Sequence, residues 1–211
     1  MPWPATHILA AEKAFDRHFQ HLDHTVFLLG TCFPDIRYPA GVERERTHRK
    51  NITLGDVQEE TAFQAGLLFH SLVDGLWNSF IRAHAEPLFA LVPHNRPMFH
   101  TMKILQDKLL YSELTHWDRI VAVFSHIPPE ALTFGVDRAM VQRWYAMLSH
   151  YLSKPPNQDD LEMLALSLPP DLLADIRSYY QQYQTQPELN RILRAFYRQF
   201  DSLLARSASR D

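Results

Sequence analysis

The sequence predicts an all-α fold, a single-domain multi-helix bundle, and three observations predict it. Runs alternating polar and apolar residues, the mark of half-buried strands, are scarce. Most segments instead place apolar residues at helical spacing, and the proline pairs Pro128-Pro129, Pro155-Pro156 and Pro169-Pro170 separate them as breakers. With 211 residues, 46% of them hydrophobic, one compact domain over 1–211 has enough chain to bury a core.

The first helix is predicted over Thr6 to about His18, with Pro4 and Thr6 at its entrance. A second runs from about His21 to Leu29, where Gly30 reads as a C-terminal cap. Residues 31–54 carry Pro34, Pro39, Gly41 and the run Glu43-Arg44-Glu45-Arg46, and read as a long functional connection. A long helix is predicted from near Asp56 to His84, before Pro87, and Pro93 and Pro97 bracket a further break. Helices follow at Phe99–Tyr111, Thr115–Phe124, Val136–Leu152, Asp159–Ser167, Pro170–Gln184 and Glu188–Arg206. Tyr179, Tyr180, Tyr183, Leu193, Phe196, Tyr197 and Phe200 form core-type stripes, so 127–206 reads as scaffold or cleft wall and 207–211 as a polar tail.

A net charge of −3 gives no argument for nucleic acid or an anionic membrane. No stretch approaches a membrane span, and the N-terminus lacks the pattern of a signal peptide. A single cysteine, Cys32, excludes an intrachain disulfide and reads as a small packed residue. The expected location is the cytoplasm. No glycine-rich phosphate loop, paired-cysteine motif or Gly-x-Ser-x-Gly elbow is present.

Histidine is the unusual residue: there are twelve, mostly within 1–126, the candidate site region. His70 and Asp74 sit four apart in an apolar helical pattern, so they leave the same helix face one turn apart. Polar groups set into such a stripe need partners, and a metal ion would satisfy both. Gly66, one turn earlier, permits close approach of another helix, and Trp77 follows in the next turn. Thr6-His7, Pro34-Asp35-Ile36 and Thr47-His48 supply further nitrogen and oxygen donors suited to zinc, manganese or iron. Taken singly, each of these residues is more often a core pair, a turn residue or a solvated side chain.

Four blocks in order carry a resemblance. They are Thr6-His7 before an alanine-rich helix; Phe27-Leu28-Leu29-Gly30 leading to Pro34-Asp35-Ile36; Thr47-His48; and Ala62-Phe63-Gln64-Ala65-Gly66 with His70, Asp74 and Trp77 behind it. This stretch resembles the zinc-dependent phospholipase C family, here as a bacterial, non-secreted member, over about Thr6 to Trp77. The resemblance implies an all-α fold and metal-dependent phosphoester hydrolysis, with Asp35, His48, His70 and Asp74 holding a first metal and His7 a neighbouring one. It departs from the family at Trp3, which lies behind Met1-Pro2, and at Phe80, where the family carries a histidine. One or two metals are therefore expected rather than three. A looser similarity to the acyl carrier protein phosphodiesterases rests on the early histidine, the aspartate after a glycine block and His48-Arg49.

His100 and Asp107, two helical turns apart, are expected as replacement ligands; His84, Glu113 and His116 are weaker alternatives. Asp35 is expected as bridging ligand or general base, and Arg37 and Arg46 as substrate contacts able to hold a phosphate bidentately. A zinc-bound hydroxide would then attack a small phosphodiester or a phospholipid headgroup. The rival expectation is a non-catalytic scaffold or interaction protein with a structural or vestigial metal site.

Overall fold

A computed structural model describes residues 3–160 and 168–208, and among them it contains thirteen α-helices, four 3₁₀ turns and no strand. The helices are α1 (Pro4–His18), α2 (His24–Cys32), α3 (Arg37–Ala40), α4 (Arg44–Thr47), α5 (Leu54–Gln58), α6 (Ala62–Ala83) and α7 (Ala85–Phe89). They continue as α8 (Arg96–Leu110), α9 (Trp117–Val123), α10 (Arg138–Leu152), α11 (Pro170–Tyr183), α12 (Pro187–Arg198) and α13 (Phe200–Arg206). The helix expected over Asp159–Ser167 lies largely outside the described residues.

The central helix is α6, which packs along α2 and also touches α1 and α5, while α8 joins α1 to α11 and α12. One contiguous apolar core runs from Ala5 to Leu204. The sequence places Gly30 as a cap, but α2 continues through it to Cys32, because Gly30 is a contact point. A Cβ there would lie 2.2 Å from the Phe63 carbonyl oxygen, and one at Gly66 would lie 2.1 Å from that of Phe27. The two glycines thus let α2 and α6 meet backbone to backbone.

Three further boundaries differ from expectation for local reasons. Residues 31–54 are not irregular: a 3₁₀ turn at Pro34–Ile36 leads into α3 and α4, with Gly41 closing α3 at a φ of 64°. The helix expected from Asp56 is split, since Thr53 and Asp56 form a capping box that starts α5 separately. The last helix is split at Gln199, so that Phe196 and Phe200 both enter the core, stacking edgewise on Phe80 and Phe69 respectively.

Buried polar side chains tie the layers. Trp77 donates to Gln106, which donates to the Leu193 carbonyl, linking α6, α8 and α12. From α10, Trp144 and Tyr145 donate to the carbonyls of Cys32 and Leu29. These bonds fix the C-terminal end of α2, where the loop carrying Asp35 begins. Among the described residues, no helix is long and apolar enough to cross a membrane.

Candidate metal centre

Asp74 and His70 leave α6 on one face, with His70 Nε2 3.7 Å from Asp74 Oδ2. His7 comes from α1, and its ring stacks on that of His70 at 4.0 Å between centroids. Its Nε2 lies 3.4 Å from Asp74 Oδ1. Asp35 comes from the 3₁₀ turn and His48 from the residue that ends α4. His48 Nε2 lies 3.7 Å from both Asp35 Oδ1 and Asp74 Oδ2, and His70 Nε2 lies 4.0 Å from Asp35 Oδ2. Two overlapping triads result, His7/His70/Asp74 and Asp35/His48/His70, each with donor atoms within 4.8 Å of one another.

The outward nitrogen of each imidazole is already used. His70 Nδ1–H donates to the Thr31 carbonyl at 2.9 Å, and His7 Nδ1–H to that of Trp3 at 3.3 Å. A carbonyl only accepts, so Nδ1 carries a hydrogen in both rings, and in the neutral ring of His70 Nε2 presents a bare lone pair. His48 Nδ1 faces the Thr47 hydroxyl at 2.9 Å, and that hydroxyl donates to the Arg44 carbonyl. This is the arrangement that orients metal-ligating histidines. The Gly30–Gly66 approach is what brings Thr31 within reach of His70.

Six buried atoms at this point have no hydrogen-bond partner among the described residues: His7 Nε2, His48 Nε2, His70 Nε2, Asp35 Oδ1 and both oxygens of Asp74. Spacings of 3.4–4.0 Å are longer than ordinary hydrogen bonds. They match the edges, roughly 3.4 Å, of a tetrahedron of donors each about 2.1 Å from an ion. A void of about 10 Å³ lies among His7, Asp35 and His70, beside Thr31 and Trp144. The donor set of imidazole nitrogen and carboxylate oxygen therefore fits zinc, manganese or iron.

Electrostatics agree with that chemistry. Burial pushes His70 down to about 3 and His48 down to about 4, keeping both rings neutral and able to donate lone pairs. Burial opposes ionisation of Asp74, but the imidazoles of His70 and His7 outweigh it and hold the carboxyl well below the usual range. Asp35 is the most open of the five, its side chain 19% exposed.

The structure brings together His7, Asp35, His48, His70 and Asp74, but not His100 and Asp107. Asp107 is fully occupied as the anchor of α1: it accepts from the Ala5 and Thr6 amides, the Thr6 hydroxyl and the Tyr151 hydroxyl. Burial pushes its carboxyl up to about 6, with the Thr6, Ala5 and Tyr151 bonds pulling the other way. His100 belongs to neither triad; burial, with Lys103 and Arg96 nearby, pushes it down to about 3. Of the weaker alternatives, His84 bonds to its own helix at the Phe80 carbonyl, His116 pairs with Glu12, and Glu113 faces Arg194. Phe80 is buried against Phe196, so no ligand enters from that position.

The arginines sort differently from the sequence reading. Arg37 stacks on Tyr38 at 3.9 Å, with its Nε buried and lacking a hydrogen-bond partner among the described residues, and acts on His48 electrostatically. Arg46 packs on Gly135, whose Cβ position is 3.4 Å from its Nη1, and makes no ion pair with the cluster among the described residues. Arg44 reaches it instead, Nη2 lying 3.8 Å from Asp74 Oδ2. Lys103, half-buried on α8, faces the cluster too, and burial holds its ammonium below the ordinary lysine value, Asp35 and Asp74 offsetting only part of that. Lys103 shares a helix face with Asp107, a spacing visible in the sequence, whereas nothing local marks Arg44 over Arg46. Cys32 is buried, and burial, with Asp35 and Asp107, pushes its thiol far up, which leaves it a packing residue. Compared with protein-family models, curated proteins and solved structures, the chain matches none.

Proposed function

We propose that this chain is a metal-dependent phosphoester hydrolase, zinc being the first candidate ion and manganese or iron the alternatives. The observation that carries the proposal is the convergence of six partnerless buried donor atoms from α1, the Asp35 turn, the end of α4 and α6. An isolated cluster of this kind would be costly in a core, since each buried polar atom without a partner destabilises the fold. An ion held there supplies Lewis acidity toward water and a phosphoryl oxygen.

The chain's own residues supply the rest. His7, His48 and His70 have their Nδ1 atoms held by Trp3, Thr47 and Thr31, which aims each Nε2 into the cluster, and burial keeps His48 and His70 neutral at neutral pH. Asp35, the most open carboxylate, sets Oδ1 toward His48 and Oδ2 toward His70 and would serve there as bridging ligand or general base. Arg44 and Lys103 set positive charge on the approach to Asp35 and Asp74, where an anionic phosphoryl group would be drawn. Arg37 serves beside them, and the assignment of Arg46 passes to Arg44. The fitting substrate is a small phosphodiester or a phospholipid headgroup, met in the cytoplasm.

The near-complete burial of His7, His70 and Asp74 favours a second reading, in which the ion only ties α1, the Asp35–His48 segment and α6 together. The test is metal content of wild type and a His70→Ala/Asp74→Ala variant, followed by phosphomonoester and phosphodiester panels with zinc, manganese or iron restored. Bound metal lost in the variant, with hydrolysis lost alongside it, supports the enzyme. Bound metal with melting-temperature dependence but no hydrolysis supports the structural reading. A wild type that neither holds metal nor changes its melting temperature on chelation would overturn both.

A further inference from the structure

A cleft of about 580 Å³ opens beside Asp74, between residues 49–52 and the outer side of α6. Its volume lies within the roughly 300–1,000 Å³ typical of small-molecule sites. Four cations line it, Arg44, Arg49, Lys50 and Arg82, and Asp74 is the only carboxylate among its lining residues. That concentration stands out in a chain whose net charge is −3. Arg49 donates to the Glu45 carbonyl and Arg82 to the Ser79 hydroxyl, both neutral oxygens that leave the guanidinium charges uncompensated. Arg49, Lys50 and Arg82 form no ion pair with a carboxylate among the described residues. Asn51, at a φ of 56°, turns the chain between Lys50 and Ile52 on this wall. Beside Ser79, which lines both, lies a more apolar hollow of about 340 Å³, whose lining includes Leu76, Phe80, Ala83 and Leu203 together with His84 and Arg206.

We infer that this cleft binds a second oxyanion of the substrate, so that the substrate is a phosphoester carrying a further phosphate or carboxylate group beyond the one cleaved. The inference rests on the hydrolase reading for the first phosphate only. Asp74 belongs both to the candidate centre and to the cleft lining, Arg49 and Arg82 line the same cleft, and the hollow that shares Leu76 and Ser79 with it would take the organic body. Guanidinium forks match the planar or tetrahedral oxyanion geometry, whereas a neutral headgroup would leave the charges of Arg49, Lys50 and Arg82 without a counter-charge. The same chemistry is offered by a soluble bisphosphate and by a lipid headgroup bearing an extra phosphate, and the test separates them.

The experiment measures binding, not turnover. Metal-loaded wild type is titrated calorimetrically at low salt with fructose 6-phosphate, with fructose 1,6-bisphosphate, and with vesicles of phosphatidylcholine alone or with phosphatidylinositol 4-phosphate. The triple variant Arg49→Ala/Lys50→Ala/Arg82→Ala is titrated in parallel, with its metal content and melting temperature recorded. The expected result is a probe with two phosphate groups, soluble or in vesicles, bound roughly tenfold or more tightly than its one-phosphate counterpart, a preference that added salt weakens. That preference should vanish in the variant while single-phosphate binding, metal content and melting temperature stay unchanged, and Arg82→Lys alone should keep part of it. Equal affinity for one-phosphate and two-phosphate probes in wild type, or a preference that survives the triple variant, would overturn the inference. A preference present in a chain that holds no metal would sink the hydrolase reading and leave the cleft standing.

Discussion

Alanine at Gly66 should loosen the metal centre without touching any donor atom. The added Cβ would meet the Phe27 carbonyl oxygen at 2.1 Å and the Thr31 amide nitrogen at 2.7 Å, both backbone atoms that cannot swing aside. Relieving the overlap requires α2 and α6 to separate by roughly 1 Å or more. The 2.9 Å bond from His70 Nδ1 to the Thr31 carbonyl then stretches past hydrogen-bond range. Overpacking of this kind costs about 1–3 kcal/mol, and a buried bond left unmade adds about 1–3 kcal/mol. A combined loss near 3–5 kcal/mol lowers the melting temperature by roughly 6–20 °C in a chain of this size. Freeing the outer nitrogen of His70 should also weaken metal affinity, by about 10–100-fold.

The control lies nine residues on in the same helix. A Cβ at Gly75 meets nothing within 4 Å. Gly75→Ala should therefore stabilise by roughly 0.4–1 kcal/mol through the unfolded chain alone. Thermal melts followed by circular dichroism, with zinc affinity from competition against a chelating dye, read both variants. Gly66→Ala melting with wild type and holding zinc equally well would refute the close-approach argument. Equal losses at Gly66 and Gly75 would refute it too, by showing that the helix resists alanine everywhere.

Two further outcomes follow from buried or bridging carboxylates. Asp107→Asn keeps one acceptor oxygen but turns an amide donor toward the donors of Thr6, Ala5 and Tyr151, so at least one stays unpaired. A loss of about 3 kcal/mol, seen as a melting temperature lower by roughly 6–12 °C, is expected; an unchanged melt would mean that α1 is anchored elsewhere. Glu12 accepts from His24 at 2.6 Å and from His116 at 3.0 Å. Burial works against Glu12, but these bonds outweigh it and lower the carboxyl from 4.5; the Glu12 bond raises His24 from 6.5 against its own burial. The carboxylate contribution is full above pH 4.5 and fades as pH falls through the lowered Glu12 value. The His24 contribution is full below pH 6.5 and fades as pH rises through the raised value. The advantage of wild type over Glu12→Gln should thus peak between pH 4.5 and 6.5. Because both rings are about two-fifths exposed, the peak should be at most about 1 kcal/mol, and a difference flat from pH 4 to 8 in denaturant titrations would contradict the assignment.

The helical architecture is legible in the sequence because its signals are local. Apolar spacing marks α1, α6, α8 and α10, and proline pairs mark the gaps between segments. What misleads is glycine, whose meaning depends on the partner helix. Gly30 ends an apolar run and so resembles a cap, yet its lack of a Cβ serves Phe63 on α6, and the helix continues. The split of α5 from α6 was marked by Thr53 and Asp56, a capping pair three residues apart, but the apolar pattern around them runs across the break. Gln199 carries no such mark. Only the need to bury both Phe196 and Phe200 explains the interruption there.

The candidate site divides along the same line. His70 and Asp74 share a helix face by spacing alone, so their pairing could be read directly, while Asp35, His48 and His7 enter through tertiary approach and could be grouped with them only by donor type and, in their roles, by resemblance. His100 and Asp107 show where spacing reasoning stops. Their shared face is real, but a carboxylate's role is set by the donors that reach it first. The opening turn of α1 presents unpaired amides at Ala5 and Thr6, and Asp107 is consumed by them. That loss serves the cluster, since the residue after Thr6 is His7. By fixing the first turn of α1, Asp107 sets the stacking of His7 on His70, so a residue mistaken for a ligand acts one step behind the ligands. Asp107→Asn should accordingly weaken metal affinity as well as lower the melting temperature, and a variant that melts early yet binds zinc as wild type would separate the two roles.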